Sequence, residues 1–317
     1  AVAMFIWGIS SIMHPAMSWF GPQAAQSFPP RMMVQGESLQ NLAPLMAGVP
    51  GLEQARVIKL VPGESGALLQ LTENQLAARQ YYDLETMQAL PGHDRAQAEW
   101  LARYYSGLER RAIERVEFIN NFSDEYPAVN RLLPVYRVEF GGDESMVAFV
   151  HTETGALASL SNPFKNTVQW MFQHLHTFKW LDSFEFGRVL LVGFFILSLL
   201  ATAIVGLMLL FSFKPRPIPD GKRRYHRRLS YVLWLPLLAW SASGFYHLMQ
   251  ASLVQTQFGI RLDDTFPALQ AEALNTDSLE ALRGQSVNSL SLIRDGEQRL
   301  FWRASIARDR NEEAMSR

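Results

Sequence analysis

The sequence predicts an α-helical membrane bundle carrying exported α+β domains, with three transmembrane helices in this stretch and four in the complete protein. Three observations predict it: long uncharged runs, a strongly basic connection between two of them, and an internal repeat. Between Arg188 and Lys214 lie 25 consecutive residues without a charge. At about 1.5 Å per residue such a run spans a hydrocarbon core of roughly 30 Å. A second apolar stretch runs from Tyr231 to Met249, and a third precedes Arg31, the first charged residue of the chain.

Taken in order, residues 1–19 form the first predicted transmembrane helix, residues 20–185 an exported α+β domain, and 186–213 the second helix. The connection 214–229 holds seven Lys/Arg against one Asp. A short loop so basic stays on the cytoplasmic face, which sets the flanking domains on the exported side. Residues 230–252 form the third helix and 253–317 a second exported domain. Within the first domain, RVIKLVPG and ALLQLTE alternate around a Pro-Gly turn, the signature of a hairpin. HDRAQAEWLARYYSGLERRAIERVEFI has helical spacing of its apolar positions. VYRVEFGGDESMVAFVHTETGALASL reads as two strands closing in a Thr-Gly turn.

The repeat supports the same organisation. AVAMFIWGISSIMHPAMSW aligns with WLPLLAWSASGFYHLMQAS at an offset of 233, so that Trp7, Ser10 and His14 fall on Trp240, Ser243 and His247. Further on, the stretch from Gly36 resembles the stretch from Thr276. A helix followed by an exported domain therefore occurs twice. The basic segment before the third helix has no counterpart ahead of Ala1, and the second domain stops after its first hairpin, so the chain reads as a fragment.

Composition narrows the function. With 29 basic and 30 acidic side chains there is no cationic excess for phosphates, so nucleic acid is not an expected partner. The absence of Cys excludes disulfide scaffolds, thiolate zinc sites and cysteine nucleophiles. No hydrolase triad, Walker loop or dinucleotide fingerprint is visible.

The segment Val150-His151-Thr152-Glu153-Thr154-Gly155-Ala156-Leu157 resembles the closing turn of a PepSY domain. QHLHTFKW with the uncharged run after it, and RRYHRRLSYVLWLPLLAWSASGFYH, resemble the helices that accompany that domain. Most of the chain is similar to the PepSY-associated transmembrane family, the iron-regulated membrane proteins that include bacterial ferric-siderophore reductases. The resemblance implies a multi-pass inner-membrane protein, with its large domains in the periplasm and haem b held by membrane histidines. It also implies ferric siderophore as substrate. With no flavin or nicotinamide site evident, the expected electron donor is a quinol or another protein.

Five of the seven histidines lie within or beside the apolar runs, where ionisable groups are costly and usually have a task. His226 and His247 stand 21 residues apart, roughly 31 Å along one helix and so near opposite faces. His14 sits by the repeat at the depth of His247. His14, His176, His226 and His247 are therefore the candidate haem ligands, with the haem iron as their metal. His174 and His176 point about 200° apart on a helix, so only one faces the bundle. The resemblance favours His176, with His174 as its alternate. A zinc site at this His-x-His lacks a completing carboxylate or Cys. His93 is expected to be solvated and His151 structural. The competing function class is a non-haem PepSY protein that binds peptides or restrains a protease.

Overall fold

The computed structural model describes residues 2–142, 144–212, 220–253, 266, 277–295, 297 and 299–306. The chain divides into two units, one of Ala1–Gly21 with Phe164–Gln257, the other of Pro22–Pro163 with Phe258–Arg317.

The second unit is α+β and contains two antiparallel sheets. Its elements are β1 (Met32–Met33), α2 (Gly36–Gly48), β2 (Val57–Pro62), β3 (Ala67–Thr72), β4 (Gln80–Asp83), α3 (His93–Ser106), β5 (Ile113–Ile119), β6 (Val135–Phe140), β7 (Val147–His151), β8 (Ala156–Ser161), α7 (Asp277–Glu280), β9 (Ser286–Arg294) and β10 (Leu300–Ile306). In the first sheet β1, β9, β2, β3 and β4 follow as neighbours and β10 pairs with β9; the second is the meander β5-β6-β7-β8. In α2, Leu39, Leu42, Leu45 and Met46 form one buried stripe, packed with Ile58, Leu60, Leu69 and Leu290. Ala98, Leu101, Ala102 and Tyr105 of α3 form the equivalent stripe, clustered with Val138, Phe140, Ala148 and Val150. Each fully buried Leu here contributes about 1.5–3 kcal/mol relative to exposure.

Several expectations are corrected at this level. The helix read from His93 to Ile119 ends at Gly107, whose φ of 70° caps α3 in the left-handed region. IERVEFI then pairs with β6 as a strand, its alternation having been masked by the charges that precede it. His93 opens α3 half-buried, edge-on to Tyr81, rather than lying in a solvated loop.

The hairpin β9-β10, expected to start a second domain, is hydrogen-bonded into the first sheet: Lys59 opposes Ser291 and Leu60 opposes Leu290. The two hairpins that the repeat relates, β2-β3 and β9-β10, therefore lie side by side and antiparallel, about an approximate twofold axis near Lys59 and Ser291. The flanking contacts follow that symmetry. Val34 N–H donates to the Gln285 carbonyl, and Phe266 N–H to the Ala55 carbonyl. Each copy thus lends a backbone donor to the segment that leads into the other copy's hairpin. The rest of the expected second domain, residues 254–265, 267–276 and 307–317, lies outside the described residues.

The first unit is helical: α1 (Val2–Phe20), α4 (Pro163–Leu175), a 3₁₀ turn over Lys179–Phe184, α5 (Glu185–Ser212) and α6 (Gly221–Leu253). Among the described residues two helices, not three, are long and apolar enough to cross a membrane, Lys179–Ser212 and Gly221–Gln250. Only 6% and 0% of their apolar windows are buried, so these side chains face outwards and would be left in water without lipid or a partner. The first helix does not qualify, since Ser10, Ser11, His14, Pro15 and Ser18 interrupt its apolar run. The three-helix bundle read from the sequence is therefore replaced by a mixed α+β architecture with two candidate spans.

The basic connection is also shorter than expected. Residues 214–219 lie outside the described residues, and α6 starts at Gly221 rather than at 230. Asp220 opens it as an N-cap: its Oδ1 accepts from Lys222 N–H at 2.9 Å, and its carboxylate offsets the cations of the first turns.

Candidate functional site

Helices α5 and α6 pack antiparallel through small residues. A β-carbon added at Gly193 would lie 3.5 Å from Leu248, and one at Gly244 would lie 3.8 Å from Ile196. At the other end Phe211 meets Tyr231 and Trp234 edge-on. Beside the glycine contacts, the start of α5, the end of α6 and the helix α1 border a half-open cavity of about 540 Å³, in which His247 and Trp240 are exposed. Its walls are mainly apolar, with Trp7, Ile196, Leu199 and Trp240 among them, and two imidazoles, His176 and His247, line it together. That volume suits a cofactor-sized ligand.

His176 follows directly on the end of α4, where its N–H donates to the Phe172 carbonyl at 2.8 Å. Two groups of α1 hold it. The indole Nε1–H of Trp7 donates to the His176 carbonyl at 3.0 Å, and Ser10 Oγ lies 2.9 Å from His176 Nδ1. The Phe172 ring stacks on the imidazole with centroids 4.6 Å apart. Burial, and next the neighbouring His14, lower the pKa of His176 below the ordinary histidine value, which favours the neutral ring.

The other sequence candidates fall elsewhere. His14 touches the same aromatic group, edge-on to Phe172 at 6.1 Å, without lining the cavity. His174 turns away: it stacks on Trp170 at 4.2 Å, with Nδ1 2.9 Å from the Trp170 carbonyl. His226 is exposed in the first turns of α6, far along the helix from His247. The cavity thus unites His176 and His247, and leaves His14 beside them.

Sequence reasoning left Trp7 and Trp240 between interface anchoring and cofactor packing, and did not single out Ser10 and Ser243 as site residues. A signal existed, because they are the positions that the repeat pairs as identities. Arg188, also on the cavity wall, is ion-paired with Asp182.

The donor set and the walls fit a haem. Two imidazoles, from His176 and His247, face a mainly apolar space bounded by indoles, and at its edge Arg188 pairs with Asp182 beside Glu185. No cluster of three or more His, Asp or Glu able to hold a bare metal ion occurs among the described residues.

A second polar group lies at the seam of the two sheets in the α+β unit. Lys59 Nζ donates to Glu153 Oε1 at 2.9 Å, and Arg79 Nη2 stands 3.8 Å from Glu153 Oε2. Gln70 Nε2 donates to Tyr81 Oη at 2.7 Å and to the Thr152 carbonyl at 2.9 Å, and Tyr81 Oη–H donates to Asp94 Oδ1 at 3.0 Å. These groups tie the Thr-Gly turn to the first sheet, which is a structural task.

The chain matches no protein-family model, no curated protein and no solved structure. The class that the fold and the cavity define is an α+β protein with two helices fit to cross a membrane and a histidine-lined cavity beside them.

Proposed function

We propose that this chain is a membrane protein that holds haem b in the cavity of the helical unit, where His176 and His247 would be the residues that hold it. In this reading it passes electrons to ferric iron, delivered as a siderophore complex, on the exported side. The observation that carries the proposal is that two histidines 71 residues apart in sequence line one apolar cavity. Haem, when bound, would supply a one-electron couple. The chain's own part is to present two imidazoles and to line the site with Trp7, Ile196 and Trp240. The resemblance of β6 to β8 and of the two apolar helices to the PepSY-associated transmembrane family supports the same reading.

The basic connection between α5 and α6 is proposed to face the cytoplasm of a bacterial inner membrane, which leaves the α+β unit in the periplasm. A quinol or a protein partner would then be the donor. An absorption spectrum of the protein purified from membranes tests the central claim. A low-spin b-type spectrum that disappears in His176→Ala and in His247→Ala is the expected result. A spectrum unchanged in both variants, or its absence from the unmodified protein, would overturn it.

A further inference from the structure

Ser10 stands in an unusual place for a helix serine. It is wholly buried, it belongs to α1, and its hydroxyl meets the ring of a histidine 166 residues away in sequence. A hydroxyl carries one proton. In α1 that proton has an acceptor within its own turn, the Trp7 carbonyl at 3.4 Å. With the proton so placed, Ser10 Oγ is left as acceptor, and the 2.9 Å contact is satisfied only if His176 Nδ1 carries the hydrogen. The opposite arrangement, Ser10 donating to a bare Nδ1, would turn Nε2 into an N–H donor on a ring that lines mainly apolar walls.

We infer that Ser10 is a positioning residue that fixes His176 in its Nδ1–H tautomer and so leaves the Nε2 lone pair for a ligand in the cavity. Trp7 completes the clamp. Its indole N–H on the His176 carbonyl holds the backbone while Ser10 holds the ring, so a single turn of α1 sets both position and tautomer. Histidines that bind metals commonly use their second nitrogen in this way, and loss of such a partner typically weakens metal binding by roughly 10–100-fold. The inference rests on the haem reading for the identity of the ligand, but the tautomer does not depend on haem.

The test uses the full chain in nanodiscs, labelled with ¹⁵N in its histidine rings, before and after addition of haem. The His176 signals are assigned by their loss in His176→Gln. The expected result is a protonated Nδ1 and an unprotonated Nε2 in the unmodified protein. Ser10→Ala should lose that preference and bind haem roughly 10–100-fold more weakly, while Ser10→Thr, which keeps the hydroxyl, should restore both. An Nε2–H tautomer in the unmodified protein overturns the inference without recourse to any variant. So does a tautomer indifferent to Ser10→Ala in a protein that binds haem, and in that case the haem reading stands. A tautomer that follows Ser10 in a protein that takes up no haem has the opposite meaning: the positioning role stands and the haem reading falls.

Discussion

Arg79 and His151 meet across the seam between the two sheets, with guanidinium Nη2 3.3 Å from imidazole Nε2 and both side chains buried. The guanidinium can only donate, so His151 accepts at Nε2 and carries its proton on Nδ1, 2.8 Å from Thr154 Oγ1. A second proton on the ring would set two cations in contact. Burial, and then Arg79, accordingly pull the His151 pKa down to about 4.

This makes stability pH-dependent with a definite sign. The folded value lies below the unfolded one, near 6.5, so the unfolded chain binds more protons between the two values. Stability is full above about pH 6.5 and is lost as pH falls towards 4, by about 1.4 kcal/mol per unit at the steepest. Denaturant titrations of the unmodified protein and of His151→Gln at pH 7.5, 6, 5 and 4 check this. The variant should start lower and show the flatter slope in that window.

Glu153 makes a second, separable contribution. Burial pushes its carboxyl up, but Lys59, by charge and by hydrogen bond, outweighs burial and holds it below the usual value. Glu153→Gln would leave Lys59 and the buried Arg79 without their carboxylate and should cost about 3–5 kcal/mol. Adding Lys59→Met should cost less than the two changes summed, by about 1 kcal/mol or more, because the two residues interact directly. Unfolding midpoints of the four proteins read this coupling.

The chain contains no Cys, so single cysteines report topology without a background. Ser65→Cys in the exposed β2-β3 turn should react with an impermeant thiol reagent in intact spheroplasts. Asp220→Cys, at the start of α6, should react only after lysis. The reverse pattern would place the α+β unit in the cytoplasm.

Among the histidines, the cavity separates ligands from neighbours. His174→Ala and His226→Ala should leave the haem spectrum of this cavity intact, since neither side chain lines it. His14→Ala should retain the haem with a shifted spectrum, through the Phe172 ring that His14 and His176 both touch. Loss of the spectrum in His14→Ala, with retention in His247→Ala, would transfer the second ligand to His14.

The hairpins were legible because alternation and turn residues are local. RVIKLVPG and ALLQLTE pair as read, with Val57 opposite Thr72 and Pro62 opposite Ala67. The strand β5 was not legible, because Glu114, Arg115 and Glu117 continue the charge pattern of α3, and only pairing with β6 decides that the segment is extended. The candidate histidines were legible as ionisable groups beside apolar runs. Which of them share a cavity was not, since His176, held by Trp7 and Ser10 of α1, and His247 of α6 line one space only through packing between helices distant in sequence.

By itself the sequence determined the two long apolar helices, the basic connection between them, the repeat and the hairpins, because each is written in the spacing of adjacent residues. Tertiary structure alone decided that the second hairpin completes the first copy's sheet, since backbone groups at a strand edge take whichever partner the fold brings. It also reduced three expected spans to two, and it set His176, the histidine that the resemblance favoured, rather than His174 on the cavity wall. That placement depends on where α4 ends and on two hydrogen bonds from α1, contacts made across more than 160 residues that no local pattern encodes.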